Sequence, residues 1–145
     1  MVTGSHRNQT DSQLKPELEG KYFVLAQNGN QAVHRDGTVL WERMPSPEQK
    51  AAIVALAQKM VAHLALEVKD PNDLIEDRGS SVSYSTLGHH EDIAKKEPYD
   101  PDHSKRRALL KHFKADVETL RTQHNIEVRT GGTTCLDFFE AGKNK

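Results

Sequence analysis

Short apolar runs separated by turn signals follow residue 20 and predict a β-rich region. The run from Lys21 to Gln27 is aromatic and β-branched, which is typical of a buried strand. Gln31 to His34 and Thr38 to Glu42 are two further strand candidates. The Asp-Gly pair at Asp36-Gly37 lies between them and favours a tight hairpin. We therefore expect an antiparallel arrangement in this part of the chain.

Two segments carry apolar residues at helical spacing. The first is expected to begin after Ser46, which can cap a helix whose first residue is Pro47, while Gln49 completes a capping box. It should end near residue 64, and the second helix should extend from about Pro101 to His124. The apolar positions are Ile53, Leu56, Met60, Val61 and Leu64 in the first helix, and Leu109, Leu110, Phe113, Val117 and Leu120 in the second.

Two more strand pairs complete the pattern. Leu74 to Arg78 should pair with Ser81 to Leu87, and Ile126 to Arg129 should pair with Thr133 to Phe139. Strand alternation places five polar residues on one sheet face, namely Ser81, Ser83, Ser85, Cys135 and Asp137. The expected fold is α+β, a mostly antiparallel sheet with two long helices packed on one face and with the other face polar and open.

Composition excludes several classes of function. The chain has 145 residues and a net charge of −1, so nothing in it calls for nucleic acid or an anionic membrane. Cys135 is the only cysteine, which excludes an internal disulfide. No apolar run is long enough to span a bilayer, and the N-terminus is too polar for a signal peptide. We expect a cytoplasmic protein without a membrane segment.

The order of the segments resembles phosphomannomutase-like members of the haloacid dehalogenase superfamily of phosphoryl-transfer enzymes. Tyr22 to Gly29 resembles the family's strand that ends in Asn-Gly, and Ile75 to Gly79 resembles its cap strands. Gly131 to Lys145 resembles the segment that leaves the cap and re-enters the catalytic core. The resemblance implies that residues 21–145 form a cap-like domain, preceded by a polar segment, residues 1–20, that is either a core remnant or a tag.

The resemblance also assigns phosphate-binding positions. In this family the cap closes over a site where a core Asp takes the phosphoryl group and Mg²⁺ neutralises charge. Arg78, His89 and Lys96 stand at positions where the mutases have phosphate-binding arginines. His89 and Lys96 depart from that pattern, which favours a phosphatase over a mutase. The alternatives are that Arg78 is a surface residue paired with Glu76 or Asp77, and that His89, His90, Lys95 and Lys96 lie in a solvated polar loop.

Three C-terminal residues also match family positions. Asp137 corresponds to a substrate-contacting residue, so it would accept sugar hydroxyls or orient Arg78; the alternative is a solvated strand-end carboxylate. Cys135 stands where the mutases have Ser, and it is a weaker hydrogen-bond donor or simply a small filler. Lys145 matches the catalytic lysine of the core. Because it is the last residue, the alternative interpretation is that it is part of a frayed, charged terminus.

Enzymatic activity of the chain alone is uncertain and expected to be absent, because no Asp-x-Asp-x-Thr nucleophile motif occurs near its start. We expect no metal site and no cofactor in this chain, and Mg²⁺ in a complete parent enzyme. The expected partners are a phosphorylated sugar and a missing catalytic core. Alternatives are a homodimerisation module, supported if the hairpin with Trp41 exposes an apolar patch, and a stand-alone domain unrelated to phosphate. The basic run Lys105-Arg106-Arg107 is interpreted as a solvated helix face.

Overall fold

The computed structural model describes residues 1–3 and 21–142, which contain two sheets. Most of the polar segment 1–20, and Lys145 with its two preceding residues, lie outside the described part. The first sheet has the order β1-β2-β3 and the second the order β4-β5-β7-β6, all antiparallel. Their strands are β1 Val24–Ala26, β2 Gln31–Val33, β3 Val39–Glu42, β4 Ile75–Asp77, β5 Ser81–Ser85, β6 Ile126–Gly131 and β7 Cys135–Glu140.

The expectation of one common sheet was wrong. Within the described residues β3 pairs only with β2, and the chain then enters a helix before β4 begins. The first three strands therefore form a sheet of their own. A parallel bridge joins Val2 to Leu25 at its β1 edge, where the amide of Leu25 donates to the carbonyl of Met1 at 2.8 Å.

The first helix, α1, spans Pro47–Leu64 and begins as the sequence predicts. The Ser46 hydroxyl accepts from the amide of Gln49 at 3.2 Å, and the Gln49 side chain accepts from the amide of Ser46 at 2.7 Å. This reciprocal pair satisfies two N–H groups at the helix start and confirms the capping box. The Gln49 side chain also donates to the carbonyl of His124 at 2.7 Å, which ties the start of α1 to the end of a later helix.

The second long helix is interrupted, so the prediction of two long helices was wrong in this detail. A short α2, Ile93–Lys96, precedes α3, Ser104–His112, and α4, Lys114–His124. Phe113 separates α3 from α4 with φ −93° and ψ 23°, outside helical geometry. The Phe113 ring makes edge contacts with His63 and His112. Both α3 and α4 still place an apolar residue in the core, Leu109 and Leu120 respectively.

The main core lies between the helices and one face of the four-stranded sheet. Val82 is paired with Phe138 and Tyr84 with Leu136 across β5 and β7, and all four are buried. Ile53 and Met60 of α1, both without exposed surface, belong to the same cluster. Burying side chains of this size stabilises the fold by about 1.5–3 kcal/mol each.

The opposite face of this sheet carries the residues that alternate with the core positions. The register pairs Ser81 with Phe139, Ser83 with Asp137 and Ser85 with Cys135, which confirms that the five predicted polar residues share one face. The face is less open than expected, because Ser83 and Ser85 have 0% exposure. The segment 86–97 covers them: the Ser85 hydroxyl donates to the carbonyl of Gly88 at 2.8 Å.

Candidate functional site

Arg78 lies at the tip of the β4–β5 hairpin, where its backbone is fixed by the turn. Its amide donates to the carbonyl of Ser81 at 2.8 Å, and the Asp77 carboxylate accepts from the amide of Gly79 at 2.8 Å. Gly79 adopts φ +82°, a conformation that favours glycine. Gln27 accepts from the amide of Ser80 at 2.7 Å and so links the turn to the small sheet. The turn thus holds Arg78 at a defined edge of the polar face.

The guanidinium of Arg78 is surrounded by three side chains. Its Nε donates to Oε2 of Glu76 at 2.7 Å, which confirms the surface pairing considered as an alternative. Its Nη2 lies 3.2 Å from Nδ1 of His89, and its Nη1 lies 3.8 Å from Oδ1 of Asp137. Arg78, His89 and Asp137, all selected from the sequence, therefore meet in one cluster.

Asp137 is held by contacts on both sides. Its Oδ1 accepts a hydrogen bond of 2.6 Å from the Ser83 hydroxyl, its direct neighbour on β5. Its other side faces the bare Cα of Gly131 on β6, where an added Cβ would collide with the carboxylate. An alanine at this position would therefore force the Asp137 carboxylate to shift. The carboxylate is fixed before any ligand arrives.

Four residues form a straight row across the sheet. The registers pair Glu76 with Ser83, Ser83 with Asp137 and Asp137 with Arg129, on β4, β5, β7 and β6 in that order. Arg129 was not selected from the sequence, although its alternation with Ile126 and Val128 could have indicated its face. Its Nη2 lies 3.6 Å from Oε2 of Glu127. We call the surface formed by Glu76, Arg78, Ser83, Glu127, Arg129, Cys135 and Asp137 the polar face.

His89 and Cys135 form a pair beneath Arg78. Nδ1 of His89 lies 3.9 Å from the Cys135 sulfur, and Nε2 donates to the carbonyl of Ser83, 3.2 Å away. Burial lowers the pKa of His89, but Cys135, the Ser83 carbonyl and Glu76 outweigh burial and raise it above its usual value. Burial raises the pKa of the Cys135 thiol, and His89 reverses this and lowers it. The two groups therefore favour each other's charged forms.

The segment that carries His89 is fastened to the domain by two further residues. Lys96 is buried, and its Nζ donates to the carbonyl of His89 at 2.9 Å. Asp73 accepts from the amide of His90 at 2.7 Å, and its backbone carbonyl accepts from the amide of His89 at 3.0 Å. The interpretation of this segment as a solvated loop was therefore wrong at His89 and Lys96, whereas the side chains of His90 and Lys95 are exposed. Contact between Lys96 and a ligand stays a prediction.

A buried arginine supports the hairpin that carries Cys135 and Asp137. Arg106 has 1% exposure, and its Nη1 donates to the carbonyls of Gly131, Gly132 and Cys135 at 2.7–3.2 Å. Its Nε donates to Oδ2 of Asp100 at 2.7 Å. The interpretation of the basic run 105–107 as a solvated face was wrong at Arg106, because the uncapped carbonyls of a tight hairpin attract a multidentate donor. A run of three basic residues gives no sign of which one is buried.

Asp100 is the partner that makes this burial possible. Its carboxylate accepts from the amides of Lys105 and Arg106 at 2.9 and 3.2 Å, which satisfies N–H groups in the first turn of α3. Burial raises its pKa, but these hydrogen bonds and the Arg106 side chain outweigh burial and hold the pKa of Asp100 below its usual range. The run Asp100-Pro101-Asp102 has Asp-x-Asp spacing, yet its first carboxylate is committed to the helix and to Arg106.

Metal ligands are not grouped in the described part of the chain. Among residues 1–3 and 21–142, no three side chains of His, Cys, Asp or Glu converge as a metal ion requires. These residues therefore do not provide a set of ligands for Mg²⁺. No helix among them is both long and apolar enough to cross a bilayer.

The fold class of this domain is α+β: helices cover one face of a four-stranded antiparallel sheet, and the second face is polar. Similar solved structures include the C-terminal domain of a trehalose synthase regulatory protein from Candida albicans, with TM-score 0.60, 12% identity, and coverage of 97% of this chain and 43% of that chain. A haloacid dehalogenase-like hydrolase from Bacteroides thetaiotaomicron has TM-score 0.59, 13% identity, and coverage of 97% of this chain and 58% of that chain.

These comparisons confirm, at the level of the fold, the resemblance to haloacid dehalogenase-like proteins. The chain spans about half the length of the solved structures it matches. No protein-family model matches the chain, and no curated protein sequence matches it. The identities are too low to transfer any residue's role, so the site rests on its own geometry.

Proposed function

We propose that this chain is the substrate-specificity cap of a haloacid dehalogenase-like, magnesium-dependent sugar-phosphate phosphatase. The observation that carries the proposal is the convergence of Arg78 and Asp137 on one sheet face, 3.8 Å apart. A cap needs a rigid polar surface to cover a reaction site, and this face is preorganised by hydrogen bonds and by Gly131. The fold likeness to part of a haloacid dehalogenase-like hydrolase supports the same assignment.

Each residue of the proposed site has a role that follows from its contacts. Arg78 and Asp137 contact the ligand, because both side chains keep exposed surface on the polar face. His89 lies behind Arg78, and Nδ1 of its neutral ring, 3.2 Å from Nη2, can accept from the guanidinium and hold it, while Cys135 contacts His89. Lys96 fastens His89 through its backbone carbonyl. A phosphatase is favoured over a mutase, because one guanidinium shared among protein partners is a weak grip for a second phosphate.

The nucleophile and Mg²⁺ are assigned to a separate catalytic core. These 145 residues contain no Asp-x-Asp-x-Thr motif, and the described residues do not offer Mg²⁺ a set of ligands. When bound in the core, Mg²⁺ would neutralise charge on the transferring phosphoryl group. The chain alone is therefore expected to show no magnesium-dependent turnover of sugar phosphates above background. Robust turnover by the chain alone that a chelator abolishes would contradict the assignment of the nucleophile and Mg²⁺ to a separate core.

The proposed ligand surface can be mapped by amide chemical shifts. Titration of the ¹⁵N-labelled chain with mannose 6-phosphate or glucose 6-phosphate should perturb residues 76–89 and 129–137. The solvent-facing sides of α1 and α4 should stay unperturbed, because they lie behind the core on the other face of the sheet. Perturbations confined to the helices would contradict the proposal.

A second candidate function is assembly through the small sheet. Large apolar side chains are about half exposed there, namely Phe23, Val39, Leu40, Trp41 and Met44. Such a concentration on one element is typical of an interface. If it is a homodimer interface, sedimentation should show the molecular mass rising from that of a monomer to that of a dimer as the protein concentration increases. Trp41→Lys should keep the protein monomeric. A monomer at all concentrations would exclude a homodimer. The remaining hypothesis would be that the apolar surface of the small sheet contacts a catalytic core.

A further inference from the structure

The imidazole of His89 is held in place from two directions. Its Nε2 lies 3.2 Å from the carbonyl of Ser83. Because a carbonyl oxygen can only accept, Nε2 carries the proton, and Nδ1 of the neutral ring keeps its lone pair. The backbone is fixed as well, since the His89 amide donates to the carbonyl of Asp73 at 3.0 Å and the His89 carbonyl accepts from Lys96 at 2.9 Å. With a side chain that is only 6% exposed, the ring has little room to turn away.

Nδ1 of His89 faces three side chains. It lies 3.2 Å from Nη2 of Arg78, 3.6 Å from Oε2 of Glu76 and 3.9 Å from the sulfur of Cys135. A neutral Nδ1 accepts from the guanidinium, which is the contact that the structure shows. A protonated Nδ1 is a donor, so its N–H would point at the N–H of another cation. The contact with Arg78 is therefore compatible with the neutral ring and not with the imidazolium.

Glu76 can serve as the acceptor in both protonation states. One of its oxygens, Oε2, accepts from Nε of Arg78 at 2.7 Å and is the same oxygen that lies 3.6 Å from Nδ1 of His89. A carboxylate oxygen has more than one lone pair, so it can also accept from an imidazolium. The Arg78 side chain is 43% exposed and has a further acceptor, Asp137, on its other side. When the two cations repel each other, the guanidinium is therefore the group that moves.

The groups around His89 favour the protonated ring. Burial lowers the pKa of His89. The thiol of Cys135, the carbonyl of Ser83 and the carboxylate of Glu76 outweigh burial and raise this pKa above its usual value of about 6.5. The other charged groups that face His89 or its partners are the cations of Arg78 and Lys96 and the carboxylates of Asp73 and Asp137. The protonation of His89 therefore takes place at a higher pH than that of an exposed histidine.

We propose that His89 controls the position of Arg78 through its own protonation: the neutral ring holds the guanidinium at Nδ1, and the protonated ring releases it and bonds to Glu76 instead. The inference concerns contacts within the chain, so it does not depend on the proposed function. If the cap function holds as well, the position of Arg78 on the polar face changes with pH.

An NMR titration of the full chain without ligand, between pH 5 and pH 9, tests the inference. Long-range ¹H–¹⁵N spectra of the imidazole should show the proton of neutral His89 on Nε2. The Nε–H signal of Arg78, assigned by its absence in Arg78→Ala, should shift with the same midpoint as the imidazole. The reason is that the guanidinium loses one contact each time Nδ1 gains a proton.

Three variants separate His89 from other groups that titrate. His89→Gln keeps an acceptor oxygen but cannot be protonated, so the shared transition should disappear from the Arg78 signal. His90→Gln is the matched control, because its side chain is the adjacent imidazole and is 87% exposed; it should leave the transition unchanged. In Cys135→Ser the His89 midpoint is expected to fall, and the Arg78 midpoint should fall with it.

The outcomes that overturn the inference are also defined for wild type alone, so they do not depend on whether a variant folds. A neutral His89 with its proton on Nδ1 could not accept from Arg78. An Arg78 signal that stays constant while His89 titrates would show that the guanidinium does not respond. A transition of Arg78 that persists in His89→Gln would assign it to another group. None of these results bears on ligand binding, so the proposed function would still be open to its own tests.

Discussion

Nη1 of Arg78 lies 3.8 Å from Oδ1 of Asp137, although Arg78 directly follows β4 and Asp137 lies on β7, and β5 separates these two strands. The Arg78 side chain therefore reaches over the strand that carries Ser83. Ser83 in turn donates to the same oxygen of Asp137 at 2.6 Å. Both residues face away from the apolar core, so the surface they form is available to a ligand or to a catalytic domain.

Arg106 is predicted to be the most costly polar side chain to remove. Arg106→Ala leaves the buried Asp100 carboxylate without its charged partner and three hairpin carbonyls without this donor, which should lower the free energy of unfolding by about 3–5 kcal/mol. Urea unfolding at neutral pH measures the loss. Arg107→Ala, one residue along on the exposed side of α3, is the control and should stay within about 0.5 kcal/mol of wild type. A loss below about 1 kcal/mol for Arg106→Ala would show that the network does not hold the hairpin.

The same network makes stability depend on acid pH. Since the pKa of Asp100 is lower in the folded state than its ordinary value, its contribution is present above that ordinary value and is lost as the pH falls through the folded-state pKa. Urea unfolding between pH 6 and pH 2.5 should show a smaller acid loss in Asp100→Asn than in wild type. Equal acid losses in the two proteins would place the pH dependence elsewhere.

Gly131 is predicted to be coupled to Asp137. Gly131→Ala forces its new methyl group against the Asp137 carboxylate, and such overpacking costs about 1–3 kcal/mol. In an Asp137→Ala background the obstacle is absent, so the same substitution should cost much less. A double-mutant cycle by urea unfolding measures the coupling. If Gly131→Ala costs the same in both backgrounds, the cost comes from the backbone conformation at residue 131 and not from a clash with the Asp137 carboxylate.

His89 is predicted to titrate above the usual value of about 6.5. Cys135 is the largest cause that raises the pKa of His89 against burial, through its hydrogen bond to the imidazole, so Cys135→Ser should lower the pKa of His89. A ¹H–¹³C NMR titration of the imidazole signals measures both values, and His89→Gln assigns the signal by deleting it. If the pKa of His89 is unchanged in Cys135→Ser, the Cys135 sulfur, 3.9 Å from Nδ1, does not raise the pKa of His89.

Much of the fold could be predicted from the sequence because its signals are local. The alternation along β5 and β7 correctly placed Ser83, Cys135 and Asp137 on one face. The pattern around Ser46 correctly placed the start of α1, since a capping box is complete within four residues. Arg78, selected from the sequence, lies in one cluster with His89 and Asp137, and its contact with a ligand stays a prediction.

The remaining features depend on contacts between distant segments. His89 is buried because the segment 86–97 folds back over the sheet, with Lys96 and Asp73 fastening it. Arg106 is buried because the carbonyls of the β6–β7 hairpin lie beside α3. The break at Phe113 lies where its ring contacts His63 of α1. None of these contacts leaves a periodic signal, so a pattern of polar and apolar positions cannot indicate them.

The most direct test of the account follows the Asp137 amide during titration with a sugar monophosphate in wild type, Arg78→Ala and Arg107→Ala. If the polar face is the ligand surface of a cap, wild type and Arg107→Ala should give the same saturable curve, and Arg78→Ala should bind at least fivefold more weakly. Identical curves for wild type and Arg78→Ala would contradict the claim that this face contacts a substrate.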